Sequence, residues 1–123
     1  MKSDAAERAA EKAKLWAAHE VAWESFVTDG ATRSDPLGYR DIPWPPSTRK
    51  LLAGASGGRS AEAGDVRATY RRFMLRWHPD KFAARFSHRL VDADRERVME
   101  RVSAISQSVK EQWSGWEEAH AAS

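Results

Sequence analysis

The 123-residue chain contains no cysteine. Disulfides, thiolate catalysis and Cys-ligated metals are therefore excluded. No stretch alternates apolar and polar residues in the period of a strand, and no internal repeat is present, so the fold expected is all-α. No run approaches the roughly 18 apolar residues that a membrane span needs. The opening Met1-Lys2-Ser3-Asp4 leads into alternating Ala and charge, so no secretory signal is expected. A cytosolic or nuclear address is the expectation. Net charge is also low, at +2, so the chain is not a polycation. It has the length of one domain with an extension.

The positive charge is unevenly placed. Residues 66–86 carry Arg67, Arg71, Arg72, Arg76, Lys81 and Arg85 against Asp80 alone. The first 29 residues carry four Lys or Arg against six Asp or Glu. A basic middle behind a mixed or acidic start suggests an acidic partner for the middle.

Residues 3–28 lack Pro and Gly and are rich in Ala, which predicts a long helix. Its apolar residues come late: Leu15, Trp16, Ala22, Trp23, Phe26 and Val27. The first turns are expected to be exposed and frayed, with docking through the last two or three turns. Residues 29–38 form a loop. In Tyr39-Arg40-Asp41-Ile42-Pro43-Trp44-Pro45-Pro46 the prolines forbid a helix interior, and Trp44 is expected to plug a groove in its own domain. Ser47-Thr48 would cap a short helix holding Leu51 and Leu52. Residues 54–64 are a Gly/Ala/Ser loop with no phosphate-loop signature.

The clearest helix is 65–77. Val66, Thr69, Tyr70, Phe73, Met74 and Trp77 form a full helical stripe, with Asp65 as the expected cap. Arg67, Arg71, Arg72, Leu75 and Arg76 occupy the other side. Pro79 stops the helix. Phe82, Phe86 and Leu90 recur four apart in a short helical segment. Asp92 or Asp94 would cap a last helix whose stripe is Val98, Val102, Ile105, Val109, Gln112/Trp113 and Trp116, with fraying expected after about residue 113.

The run from Val66 to Lys81, ending Trp77-His78-Pro79-Asp80-Lys81, resembles the second helix and signature loop of a J domain, the module through which Hsp40-type co-chaperones engage Hsp70. His19–Phe26, Asp41–Pro45, Leu75–Phe82 and Glu96–Gln107 resemble the C-terminal part of the NF-kappa-B inhibitor-like proteins, over roughly residues 15–110. Nothing resembles the ankyrin repeats of the larger members. The resemblance implies a J-domain-like antiparallel helical hairpin with a projecting His-Pro-Asp loop, plus a long N-terminal helix. It implies an Hsp70-facing set of Tyr70, Arg71, Arg72, Leu75, His78, Pro79, Asp80 and Lys81, and a nuclear setting. The chain departs from a common J domain in three places. Residues 82–94 are an insertion or altered loop, the first-helix Tyr-x-x-Leu-Gly signature is absent, and Ser106 stands where the last helix usually has an aromatic.

The layout expected is an N-terminal helical extension (1–30), a Pro/Trp linker segment (31–46), a J-like domain (47–116) and a frayed tail (117–123). His78 and Asp80 have no accompanying nucleophile, so an enzyme is not expected. His19, His78, His88 and His120 lack metal-ligand spacing and read as surface groups, and no cofactor is expected. The partner expected is an Hsp70-type chaperone, with the chain a monomer. Two rival readings stand beside it. One is a nuclear adaptor that contacts RNA or ribonucleoprotein phosphates through Arg67, Arg71, Arg76 and Arg85. The other is a structural module docking through the N-terminal helix and the Trp44 segment.

Overall fold

The computed structural model describes residues 4–30, 35–58 and 62–121. The chain is an all-α bundle with a long N-terminal helix. Its helices are α1 (Asp4–Gly30), α2 (Leu51–Ala55), α3 (Ala63–Trp77), α4 (Pro79–Phe86) and α5 (Asp92–His120). Single 3₁₀ turns occupy Tyr39–Asp41 and Ser87–Arg89. Among the described residues, extended backbone pairs at one isolated parallel bridge, Leu37 with Leu90. No described helix is long and apolar enough to cross a membrane.

The periodic stripes of α3 and α5 bury as their spacing predicts. Val66, Phe73 and Trp77 of α3 lie in the interior, as do Val98, Val102, Ile105 and Val109 of α5. Trp77 is fully buried and packs on three segments besides its own helix. Its ring lies 5.1 Å from Trp23 and 6.3 Å from His19 of α1, 5.6 Å from Trp44 and 5.9 Å from Phe82 of α4. Trp44 therefore fills a groove of its own domain, with its indole N–H donating to the Tyr39 carbonyl at 3.0 Å. Arg101 of α5 closes over the same segment. It sits 4.4 Å above the Trp44 ring and donates to the Tyr39 hydroxyl at 2.8 Å. Aromatic contacts of this kind add to plain area burial.

The altered segment 82–94 builds core rather than a loose excursion. Phe82, Phe86 and Leu90 are buried, and Phe86 packs on Phe26 of α1 at 4.8 Å. The Leu37 N–H donates to the Arg89 carbonyl and the Val91 N–H to the Leu37 carbonyl, which ties the segment to residues before α2. Ser106 is buried in α5, and its Oγ has no hydrogen-bond partner among the described residues.

Several helix ends differ from their sequence expectation. Lys50, not Ser47 or Thr48, precedes α2, in a left-handed conformation (φ 54°). The free N–H of Leu52 donates to Oε1 of Gln112 at 2.8 Å, so a glutamine 60 residues away supplies the cap. Asp65 sits inside α3 and accepts from the Glu62 N–H, so it caps from the third helical position. Asp94 accepts from the Tyr39 N–H and Asp92 pairs with Arg95, while Val91 takes the cap position of α5. Helix α5 continues to His120 instead of fraying after 113. Its last turns carry a ladder of rings, Trp113 on Trp116 at 5.3 Å and Trp116 on His120 at 4.0 Å.

Candidate partner-binding ridge and its buried support

Helix α3 divides its basic residues between two environments. Arg67, Arg71, Arg72 and Leu75 are exposed, whereas Arg76 is only 5 % exposed. Arg67, Arg71 and Leu75 follow at four-residue steps, which aligns them as one ridge along the helix. Leu75 is 58 % exposed, a large apolar side chain set one turn beyond Arg71. Arg67, Arg71 and Lys81 make no ion pair among the described residues.

The ridge ends at His78. Its backbone is extended (φ −63°, ψ 128°), as a residue before proline requires. Its N–H donates to the Met74 carbonyl at 3.0 Å, and its own carbonyl accepts the Phe82 N–H at 2.8 Å. His78 thus closes α3 and opens α4. Its Nδ1 accepts the Asp80 N–H at 3.2 Å, so the ring caps α4 and the neutral tautomer carries its proton on Nε2. Pro79 occupies the first turn of α4, where its missing N–H costs nothing. Asp80 and Lys81 are exposed, while His78 and Pro79 are half-buried. The three residues form a tight capped junction between helices, not the projecting loop that the sequence suggested. With α4 starting at once, no residues are left to form a loop.

Two residues of the expected partner-facing set are committed elsewhere. Tyr70 is half-buried and stacks on Trp113 at 4.8 Å, with the planes 9° apart, so it faces α5. Arg72 is exposed, but its guanidinium leans over Phe73 and lies 3.7 Å from Glu20 of α1. Arg71, Leu75, Asp80 and Lys81 remain on the surface with the half-buried His78 and Pro79 between them.

Arg76 corrects the placement of every α3 arginine on an outer face. Its guanidinium makes paired bonds of 3.0 and 2.9 Å to the Glu20 carboxylate and lies 5.0 Å over Trp23 and 4.6 Å over Phe73. It also donates to His19 Nε2 at 3.1 Å. His19 is buried between Trp16, Phe73 and Trp77, not a surface group. An arginine always donates, so His19 accepts on Nε2 and is neutral with its proton on Nδ1. Burial first, then the Arg76 charge, pushes its pKa down to about 4. Nδ1 has no hydrogen bond of full geometry among the described residues, though the Trp44 backbone lies near enough to favour the protonated ring slightly. For Glu20, burial alone would raise the carboxyl. The hydrogen bonds and charge of Arg76, with Arg72 and His19 behind them, outweigh burial and hold it below its ordinary value.

The sequence held a signal for this cluster. Trp16, His19, Glu20 and Trp23 fall at i, i+3, i+4 and i+7, so a polar pair lies inside an aromatic stripe. On α3, Arg76 follows Phe73 by three and adjoins Trp77. A cation beside one stripe and a carboxylate within the other mark a buried pair.

A model of the NF-kappa-B inhibitor-like protein 1 C-terminal domain matches residues 50–114, more than half of the chain. The chain belongs to this family. No solved structure matches it. The part matched to the NF-kappa-B inhibitor-like domain takes in α2, α3, α4 and α5 as far as Ser114, and so contains the ridge and the His78 junction. His19, Glu20, Trp23 and Trp44, which support that ridge from behind, lie outside it.

Proposed function

We propose that this protein binds an Hsp70-type chaperone through the α3 ridge and the His78-Pro79-Asp80 junction, and accelerates the chaperone's ATP hydrolysis as a J-domain-like co-chaperone. The observation that carries this reading is the continuity of the surface. Arg71 and Leu75 run directly into the junction that presents Asp80 and Lys81. Exposed arginines steer toward an acidic partner, and an apolar residue inside the charged patch supplies contact energy once it is desolvated. Asp80 is exposed, and its carboxylate would make a charge-assisted bond to a cation of the chaperone. The protein would act by favouring one chaperone conformation, with no covalent step of its own. A nuclear setting accompanies the reading through the family resemblance.

Phosphate binding by Arg67, Arg71, Arg76 and Arg85 has less support, because Arg76 is buried and paired. Single-turnover ATPase measurements decide between the two. The wild type should raise the hydrolysis rate of an Hsp70 of its own compartment. His78→Gln should abolish that effect with little change in fold, since glutamine also accepts a hydrogen bond from the Asp80 N–H. No stimulation by the wild type, together with steeply salt-dependent RNA binding, would replace this reading with the adaptor reading.

A further inference from the structure

We infer that Glu20 of α1 is a specificity-determining residue for the ridge: it withdraws Arg76 wholly and Arg72 in part, and so sets which cations a partner meets. The inference rests on the reading of the ridge as a chaperone-binding surface. By sequence, α3 offers four arginines on its polar side. In the fold, Glu20 binds Arg76 through both carboxylate oxygens and lies 3.7 Å from Arg72. Arg72, Arg76 and Glu20 together carry one positive charge instead of two, displaced toward α1. What remains for a partner is a narrow line, Arg67, Arg71 and Leu75, ending at Asp80 and Lys81. Successive members from Arg67 to Leu75 are spaced by roughly 6 Å along the helix. The surface that fits is an acidic strip with two carboxylates at that spacing, followed by a shallow apolar recess for Leu75. A partner with acidic groups placed for Arg72 would instead meet the Glu20 charge, and like-charge juxtaposition selects against it.

Two measurements on the full chain test this. In the first, arginine-selective labelling with phenylglyoxal is followed by mass spectrometry and needs no chaperone. Arg67 and Arg71 should label fastest, Arg72 several-fold more slowly and Arg76 not at all. Glu20→Gln should bring Arg72 to the Arg71 rate. Equal rates at Arg71 and Arg72 in the wild type, or no effect of Glu20→Gln, would overturn the inference. In the second, apparent affinity is read from chaperone ATPase stimulation. Arg71→Ala should weaken it by about tenfold and Arg72→Ala by less than about twofold, the usual contrast between a central contact and an exposed ion pair. Glu20→Gln should strengthen it by about two- to threefold and steepen its salt dependence, a gain that simple loss of stability would not give. An Arg72→Ala loss equal to that of Arg71→Ala would contradict the assignment. If the wild type stimulates no chaperone, the functional reading fails and the labelling pattern alone decides the role of Glu20.

Discussion

Arg76 shows how one buried residue ties helices together. It sits between Trp23 and Phe73 and closes on Glu20 and His19, so α1 is held to α3 by a charged pair inside an aromatic box. Removing one member of such a pair strands the other, at about 3–5 kcal/mol for a fully buried case. Glu20 is partly exposed, which lowers the expected figure. Arg76→Ala should cost about 2–4 kcal/mol by urea denaturation, whereas Arg71→Ala on the open ridge should stay within about 0.5 kcal/mol. The same cluster sets an acid response. Folded His19 titrates at about 4, below the 6.5 of an unperturbed ring. The unfolded chain therefore binds the extra proton first. The stability contribution is complete above pH 6.5 and is lost as pH falls from there toward 4, by up to about 1.4 kcal/mol per pH unit. Glu20, held low, adds a further loss once the pH drops below the ordinary carboxyl range. Urea midpoints of wild type and His19→Gln between pH 7 and 4 check this. The variant's curve should be flatter down to about pH 5, and parallel curves would contradict the assignment.

At the scale of elements, the helices were readable, and so was the stop of α3 at Trp77 before Pro79, but most other ends were not. The stripes of α3 and α5 follow from period alone, because burial on one face forces that period. The late-docking α1 and the Trp44 plug were also legible, since large aromatics in those patterns have few places to go but the core. Asp65 caps α3 locally as expected, but the caps of α2 and of the Tyr39 turn were missed because their partners are remote. Gln112 reaches Leu52, and Asp94 reaches Tyr39, across 60 and 55 residues respectively. Local capping rules see only near neighbours. The end of α5 was missed for a related reason. Ser114 and Gly115 are poor helix formers, but Tyr70, Trp113, Trp116 and His120 stack beside them. That ladder is expected to hold the last two turns helical. Trp116→Ala should unwind residues past Gly115, seen as faster amide exchange there and a small loss of helical circular dichroism, with exchange in α3 unchanged. Persistent protection from Glu117 to His120 would show that the ladder is not what holds them.

Over the whole molecule, the interior and the proposed working surface meet at one pair of adjacent residues. Trp77 faces inward to α1, the Trp44 segment and α4, and His78 begins the junction that the proposed partner contacts. The proposed surface set follows a motif on α3, but how its members are placed depends on α1 and α5. Tyr70 is taken by Trp113 and Arg72 is drawn to Glu20, which no local pattern on α3 discloses. The surface we propose a chaperone reads is therefore a narrow ridge backed by a buried aromatic core. Titration of ¹⁵N-labelled protein with ATP-bound Hsp70 tests it most directly. Amide signals of Arg67, Arg71, Leu75, Asp80 and Lys81 should shift or broaden together, while those of Leu15 and Val21 on the outer side of α1 stay still. No perturbation, or perturbation centred on α1, would contradict the account.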